Sequence, residues 1–128
     1  MQLAIDAVER TAAPPLAAAE QTIDREHLAR MTLGDRSLQN EVLELFDRQA
    51  GMLLTRMKDA GANVVAALAH TLKGSARGIG AWHVAQAAEA VEQAAPQPDQ
   101  GALATAVEQL SAAVDEARTA IAALLRAH

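Results

Sequence analysis

The stretch AHTLKGSARGIG, residues 69–80, sets an imidazole, an ammonium and a guanidinium among alanines and glycines. On a helix each residue turns by about 100°, so His70 lies about 200° from both Leu68 and Leu72 and points away from the stripe they define. One turn back from it are Ala66 and Ala67, one turn forward are Lys73 and Gly74, and Arg77 follows a turn later. An imidazole above short side chains and beside two cations suits a nucleophile that accepts an anionic group. Such a ring is expected to be neutral at pH 7, with a lone pair free for attack. Gly74 is the informative neighbour, since a glycine inside a helix costs ~0.5–1 kcal/mol and packs against nothing. A bulky group on the imidazole, or a second protein lowered onto it, would need that space. Lys73 and Arg77 place positive charge where a phosphate would be welcome. On these residues alone, a plain surface histidine with a coincidental glycine and lysine explains the pattern equally well.

The elements that must position this stretch are helical. The 128-residue chain is alanine-rich, half hydrophobic and almost without aromatics, with one Phe, one Trp and no Tyr, a profile that favours helix over strand. Residues 1–22 read as a leader or linker with a short optional helix, broken by Pro14 and Pro15. Residues 23–128 read as one bundle. Asp24 is expected to cap a short helix ended by Gly34, with Leu28 and Met31 at core spacing. Asp35 opens a long helix to near Gly61, with Leu38, Val42, Leu45 and Met52 on one stripe and Phe46, Leu53 and Met57 widening it. Gly51 within it suggests a close helix crossing. Asn63 is expected to cap a third helix buried through Val65, Leu68, Leu72, Ala76 and Ile79 as far as Gly80. A fourth spans about 81–95, with Val84, Ala88 and Val91 inward, stopped by Pro96 and Pro98. The last carries a heptad seam of Leu103, Val107, Leu110, Val114, Ala117, Ile121 and Leu124. Short connections favour antiparallel neighbours, so the expected fold is all-α, an antiparallel four-helix bundle with a short additional N-terminal helix. The seam is assigned to packing within the chain rather than to an intermolecular coiled coil.

Composition removes several function classes. With no cysteine there is no disulfide, thiol catalysis or thiolate metal site. A net charge of −5 without a basic run gives nucleic acid little support as a partner. No uncharged apolar run of about 18 residues suggests a membrane span, and MQLAIDAVER lacks the cationic start of a secretory signal. A cytoplasmic monomer is expected. No histidine has a second histidine at ligand spacing, so no metal site is expected. His27, His83 and His128 lack the flanking glycine and lysine of His70 and read as ordinary residues. Trp82, just past Gly80, is expected to plug the bundle end. There is no G-x-S-x-G elbow and no G-x-x-x-x-G-K-[ST] loop, so neither hydrolase chemistry nor an ATP site of its own is expected.

The motif HTLKGSARGIGA resembles the signature of histidine phosphotransfer (HPt) domains, the phosphocarrier modules of two-component phosphorelays. His70, Leu72, Lys73, Gly74, Ser75, Ala76 and Gly80 fit it, and VLELF, NVVAALAH and AEAVEQA are similar to the flanking pattern. The resemblance covers roughly residues 23–125. It implies that His70 takes a phosphoryl group on Nε2 and exchanges it with an aspartate of a response-regulator receiver domain, fed by an upstream histidine or hybrid kinase. It further implies that Lys73 steadies phosphate oxygens, Gly74 clears the approach and Gly80 permits the turn into the next helix. Ala66, Ala67 and Arg77 are the expected docking face. No cofactor is implied for this chain, because Mg²⁺ and the carboxylates that hold it belong to the receiver. The chain would be a phosphorelay intermediate without kinase activity. Two other settings stay open at this level. One is a helical adaptor that binds a receiver or kinase without carrying phosphate; the other is the phosphoacceptor module of a chemotaxis-type kinase, for which the sequence supplies no catalytic or dimerisation segment. A free-standing protein is preferred, although the proline-containing leader equally suits a cut tether.

Overall fold

The computed structural model describes residues 22–127, so the leader before Thr22 and the terminal His128 lie outside the described residues. Five helices follow in order among them: α1 Arg25–Met31, α2 Arg36–Met57, α3 Ala62–Ile79, α4 Trp82–Ala94 and α5 Gln100–Ala127. The architecture is the expected all-α bundle, in which α2 to α5 carry the core and α1 packs on α3 at one end.

Local chemistry sets the helix starts. Asp24 Oδ1 accepts the His27 amide at the start of α1, Asp35 Oδ1 accepts the Leu38 amide at the start of α2, and Asp99 Oδ1 accepts the Ala102 amide at the start of α5. α3 departs from the expected start: its cap is Gly61, without a side-chain bond, and Asn63 already lies inside the helix. α2 stops at Met57 rather than near Gly61.

The core stripe of α2 is a further correction. Leu43, Phe46, Ala50, Leu53 and Met57 face inward, whereas Leu38, Leu45 and Met52 are 39%, 56% and 65% exposed and Val42 is half-buried. Both sets recur at helical spacing, so periodicity alone does not choose between them. Met31 is also exposed, leaving Leu28 as the buried anchor of α1. On α3, α4 and α5 the expected stripes hold, apart from Leu103 and Val107, which are only partly buried.

Two glycines explain how the helices meet. At Gly51 a Cβ would lie 2.9 Å from Nη1 of Arg118, so the close approach is made by a guanidinium from α5, held 2.8 Å from Asp47 Oδ1, and not by a crossing backbone. Gly80 ends α3 at φ +78, in the left-handed region, and a Cβ there would meet Asp24 Cβ at 2.8 Å and the Asp24 carbonyl oxygen at 2.9 Å. The Asp24 amide donates to the Gly80 carbonyl at 3.0 Å, and the Trp82 indole N–H donates to Asp24 Oδ2 at 2.9 Å. Trp82 is thus half-exposed and tilted against His27, tying α1 to the α3–α4 corner rather than filling the bundle end. His27 Nε2–H donates at 2.8 Å to the Arg77 carbonyl, which otherwise takes only a long 3.4 Å bond from the Gly80 amide at the C-terminus of α3.

Candidate functional site

α3 holds the site because its buried stripe fixes its rotation. Val65, Leu68, Ala69, Leu72, Ala76 and Ile79 all face the core, which leaves His70 on the outer face with 71% of its side chain exposed. Eighteen residues of helix, closed by the left-handed Gly80, hold the ring on a rigid support. Gly74 sits one turn ahead, exposed, and a Cβ placed on it would meet nothing within 4 Å. Nothing among the described residues therefore requires glycine there.

The sequence reading missed the residue that orients the ring. Glu92, on the neighbouring α4, places Oε2 3.0 Å from His70 Nδ1 and Oε1 2.7 Å from Lys73 Nζ. An ionised carboxylate only accepts, so the imidazole proton sits on Nδ1 and Nε2 is the nitrogen turned to solvent. The Lys73 hydrogen bond and, after it, the one from His70 hold the Glu92 carboxyl below the usual carboxylate range, against a smaller opposing push from burial. Lys73 is consequently not the free cation that its position beside His70 suggested. Its side chain is only 14% exposed, and its ammonium pairs with Glu92 at 2.7 Å while keeping N–H groups for a second partner. The expectation that two bare cations flank the imidazole is corrected: one of them is neutralised, and a carboxylate sits beside the ring.

A signal for Glu92 exists in the sequence. Gly80 turns α3 back into α4, and counting outward from that turn brings the residue about three turns into α4 opposite His70, about three turns back along α3. The remaining expected residues divide between two sides of the face. Ser75 Oγ donates to Gln49 Oε1 on α2 at 2.9 Å, whereas Lys73 reaches α4, so the outer face of α3 is flanked by both helices. Ala67 and Arg77 are exposed and Ala66 is half-buried. The Arg77 side chain lines a shallow groove with Trp82, Gln86 and Glu89, away from Glu92. His83 lies on α4 with its ring 3.6 Å from Glu116, outside the His70 site.

Fold and site together define a class: an antiparallel helical bundle that presents the solvent-facing imidazole of His70, oriented by a carboxylate, beside a lysine and an open glycine. Residues 39–124 match the family model of the Hpt domain, and the chain belongs to that family. Members of the family take part in histidine phosphotransfer within phosphorelays, together with kinases and response regulators. Comparisons with curated proteins and with solved structures returned no match. No described helix is long and apolar enough to cross a membrane.

Proposed function

We propose that this chain is a histidine phosphotransfer protein that carries a phosphoryl group on Nε2 of His70, to and from an aspartate of a receiver domain. The observation that supports it most strongly is the His70–Glu92 contact, which assigns the proton to Nδ1 and leaves Nε2 as the outward nucleophile.

The step balances without a proton leaving the ring. The Nε2 lone pair attacks phosphorus, the bond from phosphorus to the aspartyl oxygen breaks, and its electron pair stays on the departing carboxylate. The ring becomes an N-phosphoimidazolium that keeps its Nδ1 proton, and the Glu92 carboxylate 3.0 Å away stabilises the positive charge it acquires. Phosphoryl transfer through a loose, in-line transition state depends chiefly on positioning and charge. A nucleophile on a rigid helix meets the first need, and the spare Lys73 donors meet part of the second. A divalent cation and its ligands are assigned to the receiver. Gly74 keeps the line of approach open, and Lys73 steadies the phosphoryl oxygens while bound to Glu92.

Incubation with a radiophosphorylated receiver tests this reading. Label should move to the wild-type chain and be acid-labile, and His70→Ala should take none. A His70→Ala chain labelled like the wild type would remove His70 as the acceptor, and a receiver that binds both equally and transfers to neither would leave the bundle as an adaptor.

A further inference from the structure

The α2 stripe of Leu38, Leu45 and Met52 recurs every seven residues and stays exposed, although the bundle already has a complete core on the opposite side of that helix. A seven-residue apolar repeat is the pattern of a seam against another helix, since it brings one side chain to the same line every two turns. Within the described chain no helix occupies that line. The charges beside it identify the occupant. Glu41 and Arg48 flank the stripe on one side; both are exposed and neither forms an ion pair within the described chain.

We propose that α2 pairs with α2 of a second copy of this chain, antiparallel, with the two-fold axis at Leu45. That arrangement sets Leu45 against its own symmetry mate and Leu38 against Met52 of the second copy. Under the same rotation Glu41 lies beside Arg48 of the second copy, on the same side of the seam, and the contact occurs twice. On the other side Asp35 lies beside Arg56 of the second copy. An isologous interface must be self-complementary, and this one matches in both apolarity and charge. A parallel pairing would carry Glu41 and Arg48 of the second copy to the opposite side of the seam, beyond reach of their counterparts, so the charge match selects the antiparallel one. A single-helix seam falls at the small end of specific interfaces, so the association is weak and concentration-dependent. This inference does not depend on the phosphotransfer reading.

Sedimentation of the full chain across about 1 µM to about 1 mM tests it. The average mass should rise from one chain towards two. Glu41→Arg alone and Arg48→Glu alone should each hold the chain at the monomer mass, with helical circular dichroism unchanged because both sites are exposed. The Glu41→Arg/Arg48→Glu double variant should dimerise again. A wild-type chain that stays monomeric throughout overturns the proposal, as does a double variant that fails to recover. A monomeric wild type in which Leu45→Glu slows transfer from a receiver would assign the stripe to that partner instead.

Discussion

At the residue scale, the proposed chemistry rests on two side chains, His70 and Lys73, that share the carboxylate of a third, Glu92. Glu92 orients His70 through Nδ1 and restrains Lys73, so its removal should affect the reaction more than the fold. Glu92→Ala is expected to slow phosphoryl transfer to His70 about tenfold, the equivalent of ~1.4 kcal/mol and the worth of one charge-assisted hydrogen bond; Glu92→Gln, which keeps an acceptor without the charge, should lose less. Stopped-flow transfer from a phosphorylated receiver measures both, and equal rates for all three chains would remove Glu92 from the mechanism. The same bridge predicts an acid limit. Because folding holds Glu92 below its ordinary value of 4.5, its stabilising contribution is complete above that pH and is lost as pH falls through the folded-state value. A carbon-detected NMR titration should give a midpoint below 4.5 that rises on Lys73→Met. Of this site, His70, Lys73 and Gly74 were legible in one segment of sequence because they sit on one helix. Glu92 was not, because it belongs to another helix and becomes a neighbour only once the Gly80 turn sets the α3–α4 register.

At the element scale, the glycines separate function from packing. Gly74 faces open space, so Gly74→Ala should stabilise α3 by up to ~1 kcal/mol. Gly74→Val should leave helix content largely intact and block transfer by crowding the imidazole. Urea denaturation read beside transfer rates checks both; undiminished transfer by the valine variant would end the clearance argument. Gly80→Ala should behave oppositely, losing about 1–3 kcal/mol to left-handed backbone strain, with more from the Asp24 contact at 2.8 Å. Leu33, at φ +54 and almost fully exposed, holds the same backbone region without a glycine's freedom, so Leu33→Gly should raise the melting temperature slightly. Sequence patterning located these helices through their apolar periodicity and breakers, while the caps held for α1 and α2 and failed for α3. It centred the α2 stripe on Leu38, Leu45 and Met52 and gave the buried Phe46, Leu53 and Met57 its edge, because both sets are equally apolar and periodic and only the neighbouring helices decide which is covered.

At the scale of the whole molecule, the bundle buries one stripe of α3 and so turns the His70 ring outward. α1 contributes by fastening the α3–α4 corner: the Asp24 carboxylate takes the His27 amide and the Trp82 indole, and those two bonds, in that order, hold it below the usual carboxylate range. Its contribution is present above pH 3.8 and disappears as pH falls through the lower folded-state value. Asp24→Asn should therefore loosen the corner without touching the His70 chemistry, raising amide exchange around Gly80 while transfer rates stay near wild type.

The central claim is that the outward nitrogen of an Nδ1-anchored imidazole carries the phosphoryl group. Nitrogen-15 NMR of the side chain after phosphorylation tests it most directly. Phosphorus should couple to Nε2 of His70 with the proton retained on Nδ1; coupling to Nδ1, or phosphate on any other residue, would contradict the claim.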